Sequence, residues 1–401
     1  MLMRADPRGR WVAGVTAEGR LRVWELGAKA ELGELLWDTA GRDFAVGEIA
    51  WAGTYLVYWR LEGVTNIHEF ERGDVINPDP DFDLHKYIVD NSQTWLYDPG
   101  GRRARVLVAN ESGTLLTDAS GETLVVCEPT SRDEDPAEDR WQQTIVNVYS
   151  MPDGTRRHSF AARIGYHMRR GCIRGPALLH PVFGNAGAKA FFAIGETEGP
   201  PAYGRRYTVG LEAATLIGLD GSVKFLTDGT TNRLVRYLRG LPAVVTLEDG
   251  QEAVACMLEM WGAVPWRLAL FGVDGQRIRE YSFGLRYGAV EKVTGRKTIW
   301  QPITVTPDGR YLLLQDTGLR GGLMRGQDGW VWMWNLEERT GRPLARLRGI
   351  SAVYGWVHDE YLLVQLEAAT GGDIADQGPL YVPWKTTHVQ AVPPEQSRPE
   401  E

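Results

Sequence analysis

Residues 307–336 read Pro307-Asp-Gly-Arg-Tyr-Leu-Leu-Leu314, then Gly329-Trp-Val-Trp-Met-Trp-Asn-Leu336. Residues 6–26 repeat the phrase: Asp6-Pro-Arg-Gly-Arg-Trp-Val-Ala-Gly-Val15, then Gly19-Arg-Leu-Arg-Val-Trp-Glu-Leu26. Each copy is a tight Asp/Pro/Gly turn, an apolar strand, a second Gly turn, and a strand closing on Trp, an acid or amide, and Leu. A strand-and-turn phrase near both ends of a chain is the signature of a fold built by repetition.

The interval between the copies has the same texture. Asp98-Pro-Gly-Gly101, Ser120-Gly121, Pro152-Asp-Gly154, Asp220-Gly221, Glu248-Asp-Gly250 and Asp274-Gly275 each separate two apolar-alternating stretches. Asp-Gly dipeptides are expected to supply the positive-φ residues of two-residue hairpin turns. No amphipathic helix of ten or more residues is evident. Grouping the strands in fours predicts an all-β fold, a single β-propeller of seven four-stranded blades over 1–393. The approximate units are 1–39, 43–108, 110–160, 172–228, 234–284, 299–348 and 350–393. The charged, Pro-rich tail, 394–401, is expected to be disordered. Radial repetition of this kind leaves only short sheet edges.

The blade phrases resemble those of the WD-repeat propellers, on Asp308-Gly-Arg-Tyr-Leu-Leu-Leu314, Val331-Trp-Met-Trp-Asn-Leu336 and Gly19-Arg-Leu-Arg-Val-Trp-Glu-Leu26. Ala213-Ala-Thr-Leu-Ile-Gly-Leu-Asp-Gly-Ser-Val-Lys-Phe-Leu-Thr-Asp228 is similar to the related bacterial repeats of the Tol-associated type. The resemblance covers about four of the seven units. The Gly-His dipeptide and buried Asp of eukaryotic WD repeats are missing, so a regular His–Asp network is not implied. The resemblance implies a rigid disc that binds partners on its faces, and no single activity.

Composition narrows the function classes. The 15 Trp suit the spaces between stacked sheets. A net charge of −8 disfavours nucleic acid and anionic membrane as main partners. The basic clusters Arg102/Arg103/Arg105, Arg156/Arg157, Arg169/Arg170 and Arg205/Arg206 read as solvated loops or strand edges. Cys127, Cys172 and Cys256 match no zinc spacing, and Cys127 and Cys256 fall in apolar strands as buried free thiols. This favours a reducing compartment, and a cytoplasmic location is expected. The start has no apolar signal core, and no run approaches a membrane span; export or anchoring would require a segment upstream of Met1.

The marks of propeller enzymes are missing. There is no Ser-x-Asp-x-Gly box, no repeated Asp-x-x-Thr-Gly-x-x-x-Trp and no Gly-x-Ser-x-Gly elbow. The seven His form no His-x-x-x-His or His-x-His pair. Asp79, Asp81 and Asp83 alternate as weak Ca²⁺ candidates, but the run lacks the Gly and the bidentate Glu of a calcium loop; an acidic, Pro-stiffened surface loop explains it better. Gly318–Gly326, with Arg320 and Arg325, opens no helix and reads as a blade loop able to touch an anion or peptide. Tyr166, His167 and Tyr203 are candidate partner contacts. The expectation is a monomeric, non-enzymatic binding module that docks a protein or peptide on its loop-bearing face and needs no cofactor. Two alternatives stay open: a hydrolase or lyase acting on a small molecule or glycan in the central channel, and the sensor ectodomain of a truncated membrane protein.

Overall fold

The computed structural model describes residues 2–16, 18–28, 32–65, 90–109, 111, 113–117, 120–129, 141–165, 180–184, 187–197, 211–225, 238–258, 267–272, 274–283, 300–316, 328–348, 350–357, 360–366 and 380–383. They form a single all-β propeller of antiparallel sheets. The first sheet holds β1 (Leu2–Ala5), β2 (Trp11–Val15), β3 (Leu21–Leu26) and β4 (Leu32–Asp38). The second holds β5 (Phe44–Ala52), β6 (Tyr55–Glu62), β7 (Ser92–Asp98) and β8 (Arg103–Ala109). A central sheet contains β9 (Thr114–Thr117), β10 (Thr123–Pro129), β11 (Trp141–Ser150), β12 (Thr155–Gly165), β13 (His180–Gly184), β14 (Gly187–Thr197), β15 (Leu211–Gly218) and β16 (Val223–Phe225). The fourth has β17 (Leu238–Thr246), β18 (Glu252–Leu258), β19 (Arg267–Gly272) and β20 (Arg277–Ser282). The fifth has β21 (Trp300–Val305), β22 (Tyr311–Asp316), β23 (Asp328–Asn335) and β24 (Gly341–Arg348). The sixth has β25 (Ile350–Val357), β26 (Tyr361–Leu366) and β27 (Leu380–Pro383).

The expectation of seven separate four-stranded blades is therefore corrected. Among the described residues four sheets have four strands, one has three and one has eight. The eight-stranded sheet arises because β12 and β14 run to 11 residues each and meet near their ends, where Ile164 pairs with Gly195.

The turns explain the local order. In Leu247–Gly250 the Gly250 N–H donates to the Leu247 carbonyl, and the Gln251 N–H donates to Asp249 Oδ1 at 2.9 Å. Thr306–Gly309, Gly272–Gly275 and Gly218–Gly221 repeat the same ring, with Asp308, Asp274 and Asp220 in the role of Asp249. Only the glycine has positive φ, 79° at Gly250 and 70° at Gly309. These are type I turns closed by a left-handed glycine, not the two-residue turns expected from Asp-Gly, which need positive φ at both central residues.

The core lies between sheets. In β22 the alternation of side chains sends Leu312 and Leu314 into one cluster, with Val245, Ala255 and Leu270 of the fourth sheet. Leu313 goes to the opposite face, with Leu362 and Val364 of the sixth. A strand buried on both faces must be apolar at every position, which accounts for the Leu-Leu-Leu run. Further clusters join the first sheet to the second (Leu21 and Val23 with Ile49 and Tyr58) and the second to the central one (Val57 and Leu96 with Leu124 and Val126). Met3 and Val12 pack on Val357 and Leu363, so the first and sixth sheets meet and the ring closes. The first strands of successive sheets lie side by side around the axis, β1 against both β5 and β25, β5 against β9, and β17 against β21. Outermost strands face water: β4 has Leu35 45% exposed, and β20 carries Arg277, Arg279 and Glu280.

Antiparallel succession within the four-stranded sheets gives the disc two unlike ends. In those sheets the connections that follow odd-numbered strands are at one end, and throughout the chain none of them is longer than five residues. The central sheet breaks the alternation, because β14 is antiparallel to both β12 and β13. Turns of adjacent sheets meet there. Arg102 pairs with Glu34 at 2.9 Å, Arg279 with Glu337 at 2.7 Å, and Arg310 with Glu248. Gly121, at φ 79°, sits so close to Gly53 that a Cβ would stand 2.5 Å from the Gly53 nitrogen. Replacing Gly121 with Ala is expected to cost about 2–3 kcal/mol, read as a lower denaturant midpoint with unchanged slope. In the four-stranded sheets the even-numbered strands end at the other end. Every connection longer than five residues follows an even-numbered strand, and β6, β20 and β22 end at this second end of the disc.

Candidate functional site

The long-connection end carries a groove of about 650 Å³ where the first and second sheets meet. Its walls are the β2–β3 turn with Thr16, Glu18 and Gly19, the β4–β5 link with Thr39, Gly41, Arg42 and Asp43, and Thr65 after β6. The turn holds its place because the Val46 N–H of the second sheet donates to the Gly19 carbonyl at 2.8 Å, and the Thr39 hydroxyl accepts the Leu21 N–H at 2.9 Å. Asp38, the last residue of β4, accepts two hydrogen bonds from Arg20, from Nε at 2.7 Å and from Nη2, and stands 3.4 Å from Arg22 Nε. The Arg20 guanidinium beside Asp38 holds that carboxyl below the usual carboxylate range. Two arginines are thus oriented by one carboxylate, with their side chains 39% and 32% exposed. Such a groove can accept polar and charged groups of a bound chain.

A second polar feature is sealed between the second and central sheets. Glu111, only 4% exposed, precedes β9. Its backbone carbonyl accepts the Thr94 hydroxyl of β7 at 3.0 Å, and its carboxylate accepts Asn147 Nδ2 and the Tyr149 hydroxyl of β11. Burial pushes the Glu111 carboxyl up, against the pull of those two donors. Glu128, near the end of β10, is pushed up to about 7 by burial and then by the charge of Glu111. Half-buried Glu48 on β5 is also driven up to about 7 by burial, partly offset by Arg4 on the neighbouring inner strand β1.

Asp79, Asp81 and Asp83 lie outside the described residues, as do Tyr166, His167, Tyr203, Arg320 and Arg325. Among the described residues no group of three or more His, Cys, Asp or Glu stands together to hold a metal, and no helix is long and apolar enough to cross a membrane. Cys127 and Cys256 are fully buried free thiols, and burial drives both above the ordinary thiol range, away from the reactive thiolate.

Sequence reasoning missed Glu111, Glu128 and the Asp38–Arg20 pair. Glu111 hides in Asn110-Glu-Ser112, which reads as a plain turn. Glu128 had a usable signal: it is a charge ending the apolar run Leu124-Val-Val-Cys127.

No family model matches the chain, and no curated protein does. Several solved structures are similar. The β-propeller domain of the Trilobed protease from Pyrococcus furiosus is 11% identical, with 92% of this chain and 89% of that chain covered and a TM-score of 0.47. The Pyrococcus horikoshii acylaminoacyl peptidase is 12% identical with a TM-score of 0.47; 91% of this chain is covered, and it spans 48% of that chain. The WD40 repeats of RRP9 are 9% identical, with 95% and 93% covered and a TM-score of 0.41.

Proposed function

We propose that this protein is a non-enzymatic binding module that docks a protein or peptide partner on the long-connection end of its propeller. The observation that carries the reading is the inequality of the two ends. Every connection longer than five residues follows an even-numbered strand, and in the four-stranded sheets those strands end together at one end of the disc; long connections are where binding residues tend to concentrate. The groove between the first and second sheets opens at that end. The net charge of −8 favours partners with basic segments through long-range steering.

The test is affinity capture from source lysate with two pairs of surface substitutions. Arg42→Glu with Thr65→Arg alters the groove, and Gln251→Arg with Gln276→Arg alters the short-turn end. The same protein is expected with the unaltered chain and the short-turn variant, and at least tenfold less with the groove variant. Loss with the short-turn variant alone would overturn the reading. So would recovery of no protein while a small molecule raises the melting temperature.

One observation favours a second reading, chemistry on a small molecule in the central channel. Glu48 and Arg4 stand on adjacent inner strands, and a carboxyl that titrates near neutrality suits general acid–base work. A ligand that stabilises the native chain but not Glu48→Gln would support it.

A further inference from the structure

We propose that Glu111 and Glu128 form a proton-operated latch that fastens the second sheet to the central sheet at the long-connection end. The geometry comes first. Glu111 touches both sheets at once, through its carbonyl to Thr94 of β7 and through its carboxylate to Asn147 and Tyr149 of β11. The backbone brings Glu128 to the same corner: a Cβ on Gly113, two residues after Glu111, would stand 3.2 Å from the Glu128 Cα. Cys127 pairs with Thr114, and Glu128 pairs with Ile145, two residues from Asn147 on β11.

The cluster is short of donors. Asn147 spends its Nδ2 on Glu111, and its Oδ1, buried, accepts no hydrogen bond among the described residues. Two carboxylates beside it can only accept while they are ionised. The groups acting on the Glu111 carboxylate are the Tyr149 hydroxyl and Asn147 on β11 and Arg156 on β12, whose side chain is exposed, while the Thr94 hydroxyl of β7 is spent on the Glu111 carbonyl. Buried like charges without a close cation are costly, and a single proton on the pair removes one charge and adds one donor. Binding that proton tightens the corner; losing it loosens the start of β9 and the end of β10.

The sign follows from linkage. A carboxyl whose proton affinity is higher in the folded chain than in the opened one stabilises the fold fully below the opened-state value. That contribution fades as pH rises through the folded value. For Glu128 the window runs from about 4.5 to about 7. Amide exchange of β9 and β10, corrected for its intrinsic pH dependence, is therefore expected to rise about 30-fold between pH 5 and pH 7 in the full chain.

The experiment is hydrogen exchange across that range on the native chain and three variants. Glu128→Gln keeps the shape and removes the titration, so its β9 and β10 amides should change less than threefold. Tyr149→Phe removes a donor that favours the charged form of Glu111, so its transition should move to higher pH. Glu48→Gln, at the other carboxyl that titrates near neutrality, should leave the β9 and β10 response as in the native chain. A native response below threefold overturns the latch. So does a Glu128→Gln response equal to the native one, or a transition that follows Glu48 instead. Should Glu128→Gln fail to fold, the direction of the Tyr149→Phe shift decides: no shift, or a shift to lower pH, counts against the latch.

Discussion

Replacing Leu363 with Asp should destabilise the protein by at least about 4 kcal/mol and expose the joint between the first and sixth sheets. Leu363 is 1% exposed and packs with Met3, Val12 and Val357, residues from both sides of the seam. The substitution removes the apolar contact and puts a carboxylate among apolar side chains. Removing the contact alone, in Leu363→Ala, is expected to cost about 2–4 kcal/mol; stranding a buried charge adds further cost. Equilibrium unfolding of the native chain and both variants tests this. Exchange protection in β1 and β25 should fall before that in β18 and β19, which lie far from the seam. A loss under about 1 kcal/mol for Leu363→Asp would show that the seam does not hold the ring closed.

Trp334→Ala is expected to cost about 3–5 kcal/mol by leaving a void between the fourth and fifth sheets. Trp334, 2% exposed on β23, shares a cluster with Val245, Ala255 and Leu270 across that interface. The opposite strand is shaped to it, since a Cβ on Gly341 would stand 2.9 Å from the indole. Trp334→Phe retains a ring and should lose about half as much. The denaturant midpoint measures both. Equal midpoints for the two variants would mean that the indole's bulk is not what fills the interface.

How much of this was legible in the sequence depends on the range of the interaction. The turn at Thr306–Gly309 and the strands on either side of it were readable because Asp, Gly and an apolar run act within a few residues. Even so, the dipeptide alone misled about turn type: Asp308 accepts its bond from Arg310 while keeping negative φ, and only Gly309 is left-handed. The pairing of Ile164 with Gly195 is not encoded locally, so the joining of β12 and β14 into one sheet was invisible. Sheet pairing also decides which connections share an end, and the groove becomes visible only once Gly19 is known to hydrogen-bond to Val46. Glu111 was illegible for a further reason. Its chemistry comes from residues 17, 36 and 38 positions away, and no spacing rule joins Thr94, Asn147 and Tyr149 to it.

The seam has a mechanical meaning. Every strand of the first sheet comes from one stretch of the chain, residues 2–38, and the described strands of the sixth come from another, residues 350–383; among the described residues apolar side chains span the gap. A hydrogen-bonded ladder shares a shear load among all its rungs, whereas apolar contacts pulled face to face give way in succession. Tension applied between β1 and β27 therefore falls on the weakest mode of attachment in the ring. The disc behaves as a split washer, springing open at Met3 and Leu363 while each sheet keeps its own strands.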